Sequence, residues 1–144
     1  MPHVQQRNVV YVALRRRYGK PTLTSPELPR ILIVDDERHV REAISTWFFQ
    51  RGFFVRVAEN GARAVEICES EPFDVVLMDM EMPVMKGPEA IKAIRVQHPD
   101  LPILVFSGFS ADTRDAAEIG ANRMLQKPLG LRELESEVRA CLSH

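Results

Sequence analysis

Five polar side chains carry the chemistry this sequence can offer: Asp35, Asp36, Asp79, Ser107 and Lys127. Each lies at the end of a short run that reads as a strand. "ILIV" leads into Asp35 and Asp36, "VVLM" into Asp79, "ILVF" into Ser107, and "RMLQ" into Lys127. Three carboxylates brought to one edge repel one another unless a cation sits among them. An all-oxygen set without imidazole or thiolate suits Mg²⁺ or Mn²⁺, and Mg²⁺ favours one or two carboxylates together with phosphate oxygens. A hydroxyl and an ammonium beside them supply what a phosphoryl group needs, a hydrogen-bond donor and a fixed positive charge. A carboxylate can itself accept that group as an acyl phosphate. Asp79 is the candidate nucleophile, with Ser107 and Lys127 stabilising charge on the equatorial oxygens. Taken singly, each residue has a blander explanation: a turn and helix cap for the acid pair, a loop hydroxyl, a solvated strand exit.

The elements that must position these residues alternate along the chain. "ILIVDD" reads as a strand, and "ERHVREAISTWFFQRG" places Val40, Ile44, Trp47 and Phe48 on one helical stripe with Gly52 as the stop. "FFVRVA", the turn "ENGA", the helix "ARAVEICESE" ended by Pro72, and "DVVLMD" follow. Next come the loop "MEMPVMKG", a helix from about Pro88 to Gln97, the strand "ILVFSG", a helix capped by Ser110 or Asp112 and stopped at Gly120, the strand "RMLQ", and a closing helix. On that last helix Leu131, Leu134, Val138 and Cys141 or Leu142 share a face. Apolar strands alternating with helices imply right-handed crossovers and a parallel sheet covered on both faces, the α/β class. Such sheets place their sites outside the carboxyl ends of the strands, near the point where strand order reverses.

The 144 residues, 45% of them hydrophobic, suit one compact domain. The net charge of −1 is unevenly placed: residues 1–30 hold six Arg or Lys against Glu27, and the rest holds thirteen basic and nineteen acidic residues. Residues 1–29 read as a basic, proline-containing extension with the composition of a solvated, disordered tail, whose short "VVYVAL" run decides neither strand nor helix. This balance does not make nucleic acid the expected partner. Cys68 and Cys141 lack metal-ligand spacing and are expected as two packed, reduced thiols. No apolar run reaches the ~20 residues a bilayer requires, and no secretory layout opens the chain, so a cytoplasmic location without membrane attachment is expected.

"ILIVDDE", "VVLMDMEMPVMKG", "VFSG" and "MLQKP" together resemble, in order and spacing, the motifs of the receiver domain of two-component response regulators, with the resemblance running from about Arg30 to His144. The resemblance implies a doubly wound five-stranded sheet of order 2-1-3-4-5. It also implies that Asp79 accepts a phosphoryl group and that Asp35, Asp36, Asp79 and the backbone carbonyl of Glu81 hold Mg²⁺. Ser107 and Lys127 contact the phosphoryl group, the Lys127-Pro128 bond is cis, and Pro83 and Gly87 shape the loop after the acceptor. The chain departs from the family at Met124, a switch position often aromatic, where a flexible methionine can fill the same space. Lys86 stands where many members carry an acid, and Glu81 and Phe109 occupy positions that influence how long the phosphoryl group survives.

The implied donor is a phosphohistidine on a sensor histidine kinase or a phosphotransfer protein. Because the chain ends just after its fifth helix, the expected mode is a stand-alone regulator that docks a downstream protein near the fourth helix, fifth strand and fifth helix; a homodimer stays open. Such a domain catalyses only its own phosphoryl transfer and loss. Two alternatives stand beside this reading: a degenerate receiver acting as a phosphorylation-independent interaction module, and a phosphohydrolase that forms an aspartyl phosphate with Glu81 as its second acid.

Overall fold

A computed structural model describes residues 28–82, 85–108 and 113–143, with backbone alone at 113–115. The expectations for residues 1–27, Pro83, Phe109, Ser110 and Asp112 lie outside the described residues. Among the described residues, ten elements alternate as β1 (Arg30–Val34), α1 (Arg38–Gln50), β2 (Phe54–Ala58), α2 (Gly61–Ser70), β3 (Val75–Asp79), α3 (Gly87–Gln97), β4 (Ile103–Ser107), α4 (Thr113–Ile119), β5 (Arg123–Gln126) and α5 (Leu131–Leu142). The five strands are all parallel and run in the order β2-β1-β3-β4-β5. The expected fold class and strand order are both found.

Period-two alternation explains the layering. Leu32, Val34, Val76, Met78, Ile103 and Val105 point to one face, where Ala64 and Ile67 of α2, Ala90, Ile91 and Ile94 of α3 and Ala116 of α4 cover them. Ile31, Ile33, Val75, Leu77, Leu104 and Phe106 point to the other, beneath Ile44 and Phe48 of α1 and Leu134 and Val138 of α5. Phe48 meets Phe53 edge to face, with ring centroids 4.9 Å apart. Removing each such side chain from water contributes roughly 1.5–3 kcal/mol, so β1, β3 and β4, buried along their full length, anchor the sheet. Cys68 is buried and Cys141 half-buried, both as free thiols, and burial pushes the Cys68 thiol up to about 12. No helix among the described residues is long and apolar enough to cross a membrane.

Local signals end and start the helices where the sequence placed them. Gly52 (φ 89°) and Gly120 (φ 85°) take the left-handed conformation that stops α1 and follows α4. Asn60 caps α2 by accepting from the Arg63 amide at 2.8 Å. At the far end of α3, Arg95 gathers carbonyls: its Nε donates to Gly120 O (2.9 Å), its Nη1 to His98 O (3.1 Å) and Leu101 O, and its Nη2 to Asn122 Oδ1 (2.9 Å). One guanidinium thereby satisfies the C-terminus of α3 and ties it to the turn after α4.

Arg30 departs from the sequence reading, which counted it among the charges of the basic N-terminal segment. It is fully buried at the start of β1. Its guanidinium lies 3.9 Å from the Phe54 ring centroid, donates from Nη2 to Glu71 Oε1 (2.8 Å) and from Nε to Pro72 O (2.7 Å), and leaves Nη1 without a hydrogen-bond partner among the described residues. The apolar stem and planar head fill the sheet's amino edge while Glu71 balances the charge.

Candidate phosphoryl site

The carboxyl edge of the sheet collects the polar residues because the ladder continues past the apolar runs. Asp35 N donates to Ala58 O (3.1 Å), Met80 N to Phe106 O (3.1 Å) and Lys127 N to Ser107 O (2.7 Å). Asp79, the last residue of β3, pairs with Phe106, and Ser107 pairs with Gln126. Each side chain therefore leaves a backbone already fixed by its neighbours, which gives the site a rigid base.

Asp35, Asp36 and Asp79 each place a carboxylate oxygen within 4.8 Å of the others. Asp35 and Asp79 are buried and Asp36 is exposed. Burial pushes the Asp35 carboxyl up from 3.8 to about 6; the hydrogen bond that Glu37 N donates to its Oδ1 (2.8 Å) opposes this, and the nearby Asp79 charge adds to it. Burial likewise raises Asp79, outweighing the amide of Glu81 and the ammonium of Lys127. Two buried acids held above their ordinary range beside a third are an unbalanced negative charge. A hard divalent cation fits that donor set of three carboxylates, with no nitrogen or sulfur ligand in the cluster.

The remaining partners surround Asp79. Lys127 Nζ donates to Asp79 Oδ1 at 3.1 Å, and Glu81 N donates to the same oxygen at 3.1 Å. For Lys127, burial pulls the ammonium down, but Asp79, Glu81 and Asp35 outweigh it and leave its pKa raised. The pair thus moves in one direction for two reasons: desolvation rules the enclosed acid, and pairing rules the more exposed base. The Lys127-Pro128 peptide is cis, as expected. Gly87 has a reason beyond turn-making. A Cβ there would lie 2.9 Å from Met80 Sδ, 3.2 Å from Met80 Cα and 3.3 Å from Asp79 O, so glycine lets α3 begin close to the acceptor's backbone without displacing it. Met124, paired with Val105 across β4 and β5, is half-buried against the helical face that α2, α3 and α4 cover.

Two sets of contacts were not foreseen. The Glu81 side chain, considered for its acidity and its backbone carbonyl, accepts at Oε1 from Ser107 Oγ (2.8 Å) and from Gly108 N (3.1 Å), and its Oε2 lies 3.6 Å from Lys127 Nζ. The hydrogen bond from Ser107, followed by that from Gly108, holds the carboxyl below its ordinary range even though the group is exposed. Gly108 enters as a backbone donor. Its signal was present in "VFSG", where the glycine directly follows the hydroxyl.

Comparison with known proteins follows the same lines. A family model for the response regulator receiver domain matches residues 31–139. Response regulator MprA of Mycolicibacterium vanbaalenii is 36% identical over 115 residues, which cover 78% of this chain and 50% of MprA. The chain thus spans about half the length of the curated relatives it matches. Among solved structures, the chemotaxis protein CheY4 of Vibrio cholerae superposes with a TM-score of 0.76 at 29% identity, covering 80% of this chain and 99% of CheY4. The response regulator TrrA of Thermotoga maritima, solved in complex with Mg²⁺-BeF, superposes with a TM-score of 0.73 at 31% identity, covering 80% of this chain and all of TrrA. A parallel sheet of this order, an acid-lined carboxyl edge and a family match over most of the described residues converge on one assignment: the chain belongs to the response regulator receiver domain family of two-component systems.

Proposed function

We propose that this protein accepts a phosphoryl group from a phosphohistidine onto Asp79, in a reaction that requires a divalent cation, and signals through a changed partner surface. One observation carries the reading: the Asp79 carboxylate, enclosed at the sheet edge, has Lys127 Nζ at 3.1 Å and two further acids within 4.8 Å. An Asp79 oxygen forms the new P–O bond as the P–N bond of the phosphohistidine breaks, and the bonding pair leaves with the imidazole nitrogen. Lys127 and Ser107 stabilise charge spreading over the equatorial oxygens. Asp35, Asp36, Asp79 and the Glu81 backbone carbonyl would hold Mg²⁺ or Mn²⁺, which when bound neutralises charge on the carboxylates and on the incoming phosphoryl oxygens.

The donor is proposed to be a sensor histidine kinase or a phosphotransfer protein. The added charge of roughly −1.5 to −2 draws on Ser107 and Lys127, biasing β4, the start of α4 and β5 with Met124, so the face of α4, β5 and α5 is the proposed docking surface. Output through a docked protein is proposed by likeness to the chemotaxis protein CheY4. Residues 30–144 are proposed as the receiver unit and 1–29 as an extension. Incubation with phosphoramidate and Mg²⁺, read by intact mass, is expected to add one phosphoryl group to the wild type and none to Asp79→Asn or in the presence of chelator. Undiminished labelling of Asp79→Asn would remove Asp79 from the acceptor role.

A further inference from the structure

We propose that the Glu81 side chain is a resident anion in the phosphoryl pocket, holding Ser107, Gly108 and Lys127 until a phosphoryl group on Asp79 displaces it. The inference rests on the acceptor reading of Asp79 and deepens it by naming what regulates the site. Its ground is the identity of the three donors. Ser107 Oγ and Gly108 N converge on one Glu81 oxygen at 2.8 and 3.1 Å, and Lys127 Nζ lies 3.6 Å from the other. A hydroxyl, a backbone amide and an ammonium facing one anionic group form the donor set that the oxygens of a phosphoryl group seek.

The geometry makes the competition direct. Lys127 Nζ already bridges Asp79 Oδ1 (3.1 Å) and Glu81 Oε2 (3.6 Å), so a group bonded to Asp79 arrives beside the oxygens that Glu81 occupies. Both Glu81 oxygens lie against Gly108: a Cβ there would stand in van der Waals contact with them, 3.7 Å from Oε2 and 3.9 Å from Oε1. Two anions cannot share these donors without strong repulsion, so arrival of one releases the other. Glu81 is exposed on its far side and reaches the site on a flexible stem, so it can swing into solvent without disturbing the fold. Two consequences follow. Ser107 is drawn toward the pocket before phosphorylation, which narrows the difference between the two states of β4. Retention of the phosphoryl group is weakened by the interactions Glu81 gives up.

Beryllium fluoride at saturating Mg²⁺ is the probe, with its affinity and the Gly108 amide resonance as readouts. Glu81→Ala keeps the backbone carbonyl and is expected to bind the probe about ten-fold more tightly, the worth of one charge-assisted hydrogen bond. Glu81→Gln, which can still accept from Ser107 without the charge, should fall between. Without the probe, the Gly108 resonance should shift upfield in Glu81→Ala; with it, wild type and variant should coincide. Equal or weaker probe affinity in Glu81→Ala, alongside normal phosphoramidate labelling that depends on Asp79, overturns the resident anion and leaves the acceptor reading standing. Absence of Asp79-dependent labelling in both proteins overturns the acceptor reading, and the proposal with it.

Discussion

Replacing Asp35 by asparagine should stabilise the cation-free protein and, in the same stroke, abolish much of the stability gained from Mg²⁺. The magnitude follows from the carboxyl being pushed from 3.8 up to about 6 by burial. A shift of about two units at 1.36 kcal/mol each means that ionised Asp35 costs the folded state about 3 kcal/mol at pH 7. Asparagine removes the charge yet keeps an oxygen for the Glu37 amide, which Asp35 Oδ1 now accepts at 2.8 Å. With some of the gain lost to imperfect amide packing, about 2 kcal/mol should remain, or a rise of about 8 °C in Tm for a domain of this size. In Mg²⁺ at a hundred times its Kd, the wild type should recover about 2.7 kcal/mol by mass action, while the variant, short of one ligand, should recover far less. Thermal and urea unfolding of both proteins, each in chelator and in Mg²⁺, provide the four measurements. Lower stability of Asp35→Asn in chelator, or equal stabilisation of both proteins by Mg²⁺, would refute the idea that a buried, uncompensated charge awaits a cation here.

The pH dependence has the same origin: a raised pKa means the folded state binds a proton the unfolded chain does not, so in chelator stability should rise as pH falls from about 6 and level off below 3.8. Cation affinity should move the other way, weakening about ten-fold per unit below about pH 6 as Asp35 protonates, which calorimetric titration at pH 5 and pH 7 will test. Glu71→Gln should cost about 2 kcal/mol because buried Arg30 loses its counter-charge, whereas Arg30→Met should lie within about 1 kcal/mol of wild type; urea titrations that rank them in the opposite order would contradict that account. Gly61→Ala places a Cβ 2.6 Å from Met85 O and 2.9 Å from Ala90 Cβ, so about 1–3 kcal/mol of overpacking should exceed the up to ~1 kcal/mol that alanine offers a helix, and calorimetry should show a lower Tm.

The parts legible in the sequence were those that depend on neighbours along the chain. Apolar runs and helical stripes located every strand and helix of the described residues, and because parallel strands end together at one edge, the residue after each run could be assigned to the site. That is why Asp35, Asp79, Ser107 and Lys127 could be grouped before any distance was known. What escaped depends on distant parts of the chain. Arg30 and Glu71 are forty-one residues apart, and nothing at position 30 distinguishes a buried guanidinium from a solvated one. The direction of the Glu81 side chain was hidden for the same reason, since its partners lie on β4 and after β5. Gly87 could be assigned a turn from its type alone, but the closeness of Asp79 O and Met80 Sδ is a property of the assembled loop.

The Arg95 cluster bears on how a disturbance at the carboxyl edge can spread. Arg95 holds Gly120 O and Asn122 Oδ1 at the end of the sheet opposite the carboxyl edge, so the segment joining α4 to β5 is anchored there. A displacement that begins near Ser107, as proposed for phosphorylation, would reach α4 at the end away from this anchor, which favours a swing about Gly120 over a slide along the sheet. Without that anchor, such a swing would lose its pivot.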